Sequence, residues 1–314
     1  MKMPVAKTPV TFDAVPAWGD AVRIPNWVSA LTALRTRTSS RGCFDMSVSE
    51  GSGAALVSLC LRGAVDLDGP SFERLVTEAY QTIRSVLSTV RCNQPVRFWN
   101  HLPAIHQQMD SQRDRYMVFN SARYNAMTEW FGGSEQLAAR LPAASGVGHA
   151  GDELVIHCLA FDEPGVAVEN PRQVPAFHYS KRYGPLPPCF SRATVVDHPA
   201  DESQMLLVAG TASIRGEVSV HGDDVKRQLD ETLSNLRAVV RVVRESVRPD
   251  MALALFHDIR VYYVSPDQLH EIEAEVRKAF GESTRIEMVH AQLCRSELLV
   301  EIEGVARLST GGQS

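Results

Sequence analysis

The sequence predicts an α+β protein made of two copies of one β–helix–β–helix–β unit. Three observations carry this. Short apolar runs suited to strands alternate with helices of 3.6-residue period, the element order of the first half recurs in the second, and a proline-rich segment separates the halves. Of the 314 residues 44% are hydrophobic and 22% charged, and the net charge is −5, so the chain can bury a core and is not a disordered polyelectrolyte.

In the first half, residues 55–64 read as a strand ending in a turn. A helix over 71–90 carries Phe72, Leu75, Val76, Ala79, Ile83, Val86, Leu87 and Val90 on one stripe. Residues 96–103 form a second strand. Residues 121–131 form a helix stopped by Gly132-Gly133, and 153–160 form the closing strand. The second half repeats this order. Residues 206–216 (LLVAGTASIRG) are a strand breaking into a Gly-rich turn. Asp224 to Val243 is a helix with Val225, Leu229, Leu233, Leu236, Val240 and Val243 at 3–4 spacing. Leu253 to Val264 is a strand, and Ser265-Pro266 opens a helix carrying Leu269, Ile272, Val276 and Phe280. Residues 297–304 close the unit. The expected division is 1–165 for the first unit and 166–314 for the second.

Residues 161–199 have no counterpart in this reading. They hold seven prolines together with Tyr179, Lys181, Arg182, Tyr183 and Arg192. A flexible linker is poor in aromatics, whereas rigid turns presenting aromatic and cationic side chains suit a pocket wall, here placed at 166–199.

Composition excludes several function classes. Lys and Arg total 32 against 37 Asp and Glu, without the basic footprint of a nucleic-acid binder. No apolar run approaches the roughly 18–20 residues of a membrane span, and the start Met1-Lys2-Met3-Pro4-Val5 lacks a secretory core. A cytoplasmic, soluble protein is expected. The six cysteines show no CxxC and no zinc spacing, and disulfides are not expected there. His101, His106, His149 and His157 form no metal-ligand motif. No dinucleotide fingerprint, P-loop or nucleophile elbow is present, so neither metal nor cofactor is expected.

Glu301 is the first candidate for chemistry. Alternation in Val300-Glu301-Ile302-Glu303-Gly304 puts both acids on one face of a strongly apolar strand. Aligning the two closing strands sets Glu301 against Ile156 or His157, so the fold does not require an acid there. Two readings stay open from the residues alone: a solvated strand face, or a buried carboxyl whose raised pKa suits general acid catalysis. Cys294, seven residues earlier, is a candidate thiol with no base guaranteed beside it. Lys181, Arg182, Arg192 and Arg215, clustered with Tyr179 and Tyr183, could receive a carboxylate or lie on the surface. Gly210-Thr211-Ala212-Ser213 could form an anion-binding turn.

Residues 206–306 resemble the RidA (YjgF) family through VAGTASI, the helix stretch from Gln228 to Arg237 and the closing VEIEG. That resemblance implies chorismate-mutase-like units using the acid of the closing strand. Over a longer span the chain resembles the chorismatases. RFWNHLPAIHQ (97–107), DRYMVFNSARYNAM (114–127), ENPRQVPAFHYSKRYGPLPPCFSRAT (169–194), VAGTASIRGE (208–217) and CRSELLVEIEG (294–304) carry this likeness. It implies cleavage of the enolpyruvyl ether of chorismate without metal or cofactor, with Glu301 protonating the methylene carbon. It also implies Cys294 and Gly210 as marks of the benzoate-forming branch, with Tyr179, Lys181, Arg182, Tyr183, Arg192, Thr211 and Arg215 near the substrate. The sequence looks most like the bifunctional branch that makes 3- and 4-hydroxybenzoate plus pyruvate and is linked to xanthomonadin and ubiquinone biosynthesis. Alternatives are hydrolysis to trans-3,4-dihydroxycyclohexa-1,5-diene carboxylate, a RidA-like imine hydrolase, and a non-catalytic ligand-binding protein. A monomer or a homotrimer is expected.

Overall fold

A computed structural model describes residues 22–201 and 203–308; the reading of the N-terminal start lies outside the described residues. A short helix α1 (Asn26–Thr32) precedes the first unit, which runs β1 (Arg35–Arg41), β2 (Phe44–Glu50), β3 (Ala54–Leu61), α2 (Gly69–Leu87), β4 (Gln94–Pro103), α3 (Arg115–Phe131), α4 (Leu137–Arg140), β5 (Ala143–His149) and β6 (Leu154–Phe161). The second unit runs β7 (Val166–Val168), β8 (Ala193–Asp197), β9 (Gln204–Ala212), a small hairpin of β10 (Ile214–Arg215) and β11 (Val218–Ser219), α5 (Val225–Val243), β12 (Phe256–Tyr263), α6 (Leu269–Phe280), β13 (Arg285–His290) and β14 (Val300–Arg307).

The repeat is written in the strand order. The first sheet is β1-β2-β3-β6-β4-β5, and the second, taken from its other edge, is β7-β8-β9-β14-β12-β13. Each has one parallel pair, β4 with β5 and β12 with β13, and every other pairing is antiparallel. The structure therefore extends the repeat by three strands per copy, β1, β2 and β5 in the first and β7, β8 and β13 in the second, and β7 and β8 fall inside the segment read from sequence as unrepeated. The reason is physical. β1 is the polar run RTRTSSR, exposed along almost its whole length and held by its ladder to β2, so no apolar alternation marks it. β7 is only three residues long.

Local chemistry sets the helices. Asp68 Oδ1 accepts from Ser71 N at 2.8 Å and Pro70 sits in the first turn, which starts α2. Asp114 Oδ1 accepts from Met117 N at 2.8 Å and starts α3 at Arg115, six residues before the expected boundary. Arg115, Asn120 and Arg123 are buried in that helix, so its inward face is not an apolar stripe. Gly132 ends it at φ 85°, as expected of a glycine stop. Ser265-Pro266 opens only a single 3₁₀ turn, and the α-helix proper begins at Leu269.

Helices cover the outer face of each sheet, and the inner faces pack on each other. Phe72, Val76, Ile83 and Phe119 meet Val57, Leu59, Phe98 and Ile156 in one core, and Leu229, Leu236, Val240 and Val276 meet Val208, Val261 and Ile302 in the other. Between the sheets lie Leu56, Val96, Trp99, Leu159, Met205, Leu207 and Val305, capped by Val28 of α1. Every residue of β3, β5 and β6 is buried, because both faces are covered. No helix of the described residues is long and apolar enough to cross a membrane.

Strand register pairs Trp99 with His157 and Tyr262 with Glu301. Each aromatic follows a buried arginine by two residues, Arg97 and Arg260 respectively, so His157 occupies in the first unit the place of Glu301 in the second. Its ring is closed off, with Nδ1 bonded to Ser58 Oγ at 2.7 Å and Nε2 to Val22 O at 3.0 Å.

Burial lowers the pKa of His157 to about 4, of His101 well below its ordinary value, and of His149 to a lesser extent. These bases are neutral in the fold, and the unfolded chain binds the extra protons. Their contribution is therefore complete above the ordinary pKa near 6.5 and is lost as pH falls below it. For His157 alone the loss at pH 5 is about 2 kcal/mol. Thermal melting between pH 8 and pH 5 should show the melting temperature of the wild type falling relative to that of His157→Gln from about pH 6.5 downward. The raised carboxyls of Glu301, Glu153 and Glu169 act in the opposite sense and are common to both proteins.

Candidate active site

A cavity of about 240 Å³ lies where the two units meet. Tyr116, Met117 and Arg123 of α3 and Ser145 and Gly146 of β5 form one wall. Tyr179, Arg182, Tyr183, Phe190 and Arg192 of the proline-rich segment form a second. Gly210, Ala212, Cys294, Arg295, Glu297 and Glu301 of the second unit form a third, and His106 and Asp114 of the first unit also line the cavity. A larger cavity of about 320 Å³ lies behind Glu303, but its arginines are paired: the buried Arg260 with Glu287 at 2.9 Å and the exposed Arg285 with Asp258 at 2.7 Å. The smaller cavity holds the unpaired chemistry.

Glu301 projects from β14 into the smaller cavity and is 4% exposed. Burial, and next the neighbouring charge of Glu303, push its pKa up to about 8 against the opposing pull of Arg97 and Arg192. Its carboxyl makes no hydrogen bond or ion pair among the described residues, so near neutral pH it is a protonated acid with its proton free for a ligand.

Gly210 makes room for that carboxyl. A β-bulge leaves Ala209 and Gly210 between the pairs Thr211–Ile302 and Val208–Gly304, opposite Glu303. A Cβ on Gly210 would sit on Glu301 Oε1 and 3.1 Å from Ser145 Oγ. This glycine thus sits inside β9 and not in a turn, and its N–H donates to Ser145 Oγ at 2.9 Å. The expected anion-binding turn does not form: Thr211 turns its hydroxyl to Ala209 O at 2.9 Å and lies outside the lining.

Four arginines face the cavity, and none has a carboxylate oxygen within 4.0 Å among the described residues. Arg123 Nη2 donates to Asn120 Oδ1 at 2.9 Å. Arg192 Nη2 donates to Tyr179 Oη at 2.6 Å and to Val174 O at 3.0 Å. Arg295 is held by Glu217 O and Ser219 Oγ, and its guanidinium lies 3.9 Å from the Tyr183 ring centre. Arg182 lies 5.7 Å from the same ring centre. The cations are oriented by neutral partners and keep their charge for an anion.

Of the residues singled out from sequence, Tyr179, Arg182, Tyr183, Arg192, Gly210, Cys294 and Glu301 line this cavity, and Lys181, Thr211 and Arg215 do not. Arg215 instead pairs with Glu231 at 2.6 Å, and Arg172 binds the same carboxylate, tying the proline-rich segment to α5. The sequence reading missed Tyr116, Arg123, Ser145 and Arg295. The first three come from the other unit, on a helix without an apolar stripe and a strand of small residues. Arg295 stands beside Cys294, and its adjacency was the one available signal.

Cys294 is no thiolate. Burial, and next the Glu301 charge, push its pKa up to about 12, so it is a neutral wall of the cavity. Iodoacetamide at pH 7.5 should therefore label the exposed Cys43 and leave Cys294 unmodified, as peptide mass spectrometry will read.

Comparison with known proteins agrees with this architecture. A family model described as chorismatase FkbO/Hyg5-like, N-terminal, matches residues 33–160. A 3-hydroxybenzoate synthase of Streptomyces hygroscopicus is 32% identical over 233 residues, covering 72% of this chain and 67% of that protein. A chorismatase of Streptomyces rapamycinicus is 29% identical over 242 residues, covering 76% and 71%. A crystal structure of a chorismatase superposes with a TM-score of 0.70 at 26% identity, over 86% of this chain and 79% of that one. With two matching sheets, a buried acid on the closing strand and relatives at this level of identity, the chain belongs to the chorismatase family.

Proposed function

We propose that this protein cleaves the enolpyruvyl ether of chorismate, releasing pyruvate and 3-hydroxybenzoate, with 4-hydroxybenzoate as a second aromatic product. The observation that carries this reading is the pairing of one protonated, unbonded carboxyl with four arginines that lack carboxylate partners in a single cavity. Chorismate is a dianion whose reacting carbon must gain a proton. A site for it needs fixed cations for two carboxylates and an acid that stays neutral among them.

In this mechanism Glu301 gives its proton to the enolpyruvyl methylene carbon and leaves an oxocarbenium-like centre at the ether carbon. The Glu301 carboxylate then stabilises that cation. The ring hydroxyl attacks the carbon that bears the ether, its proton returning to Glu301 as the C–O bond breaks and pyruvate leaves. The arene-oxide-like ring opens to the aromatic acid as a ring carbon loses a proton and the oxygen gains one. Chorismate dianion becomes one hydroxybenzoate anion and one pyruvate anion, with no water consumed. Cys294 supports this branch as a small neutral wall beside Glu301, and Gly210 as the residue whose missing side chain leaves the acid in place.

The test is incubation of the purified protein with chorismate, with products resolved by chromatography. Pyruvate with 3- and 4-hydroxybenzoate is expected. Pyruvate with a non-aromatic diene acid would replace the benzoate branch by hydrolysis, and intact chorismate would overturn the reading. Glu301→Gln should lower pyruvate release by at least about 10³-fold, since it removes the proton donor. Cys294→Ala should change the isomer ratio more than total turnover. Gly210→Ala should depress turnover by displacing the Glu301 carboxyl.

A further inference from the structure

Two residues along β14 from Glu301, on the same face and about 6.7 Å away along the strand, stands a second buried acid. Glu303 is 2% exposed and saturated with donors: Arg97 Nη2 at 2.8 Å, Trp99 Nε1 at 2.8 Å and the hydroxyl of Ser145. The direction of the Ser145 bond is forced. Its oxygen accepts from Arg97 Nη2 at 2.6 Å and from Gly210 N at 2.9 Å, so its own proton goes to Glu303. A carboxyl surrounded by an arginine, an indole N–H and a committed hydroxyl has no acceptor for a proton, and it stands as the anion.

We propose that Glu303 is a positioning residue for the reaction: its negative charge, locked by Arg97, Trp99 and Ser145, holds the proton on Glu301 until a substrate takes it. The inference rests on the reading of Glu301 as the acid. Tyr116 from α3 and Cys294 from the preceding loop, both partly buried, and the fully buried Tyr262 from β12 are raised above their ordinary values by desolvation, hence neutral. Ser145 from β5 carries no charge. Arg97 from β4 and Arg192 from the segment before β8 favour the ionised form of Glu301, and Glu303 opposes them as the one negative charge acting on it among the described residues. Without Glu303 two buried guanidiniums would draw the proton off and leave a carboxylate unable to protonate carbon.

The experiment follows the carboxylic-acid carbonyl band of Glu301 by infrared difference spectroscopy against pH, the band being assigned by its loss in Glu301→Gln. In the wild-type protein the midpoint is expected near 8. In Glu303→Gln it should fall by about one pH unit, and the basic limb of kcat/KM for pyruvate release should move down with it. A lowered melting temperature with an unmoved midpoint would make Glu303 merely structural and overturn the proposal, as would the absence of a titrating Glu301 band. Should Glu303→Gln fail to fold, Arg97→Gln decides: removing the opposing cation should raise the midpoint, and a fixed or lowered one overturns the proposal. The infrared midpoint needs no substrate. If chorismate is not turned over, the proposed reaction fails while the coupling of the two carboxyls is still decided by these midpoints.

Discussion

The junction of Glu303 with Arg97, Trp99 and Ser145 is the constraint on which the rest depends. It lies between two sheets from opposite halves of the chain and carries an ion pair with both partners almost wholly buried. Such a pair contributes little net stability, because desolvating both charges offsets their attraction. Its value is specificity of register. Glu303 finds its three donors only when β14 stands against β4 and β5 in one alignment, and that alignment sets Ser145 on Gly210 and opens the space in which the Glu301 carboxyl sits.

Duplication supplies the frame and asymmetry supplies the site. The two units share strand order and pairing sense, so each offers an equivalent position on its closing strand. In the first unit that position holds His157, neutral and bonded at both ring nitrogens, one of them by the backbone of the N-terminal segment. In the second it holds Glu301, unbonded and facing a cavity walled by the other unit. One position is closed and the other open, and the chemistry follows the open one.

The proline-rich segment connects fold and site. Arg172 clamps it to Glu231 of α5, with Asn170 and Asn235 adding hydrogen bonds. Ser180 is anchored in the same way, its N–H donating to the Glu217 carboxylate at 2.8 Å and its hydroxyl at 2.7 Å. Between these ties the segment presents Tyr179, Arg182, Tyr183 and Arg192 to the cavity. Rigid turns here lower the entropy lost when an anion is bound, since Arg192 is already held by Tyr179 and by the Val174 carbonyl.

By itself the sequence determined the α+β class, the repeat of β–helix–β–helix–β, and the identity of Glu301 as the acid out of place in an apolar strand. These are local signals: periodicity, caps and one charge in an apolar run survive in a linear reading. Even there the polar edge strand β1, the three-residue β7 and the polar start of α3 escaped, because no hydrophobic pattern marks them. Only the tertiary structure decided which arginines serve the cavity. Arg215 was as plausible as Arg192 on paper, yet Glu231 neutralises it, while Arg123 and Ser145 arrive from the opposite unit. The choice depends on which carboxylate lies within reach in space, and on whether a second buried acid stands beside the first. Neither distance is encoded at any one position of the chain; both arise when two sheets dock face to face.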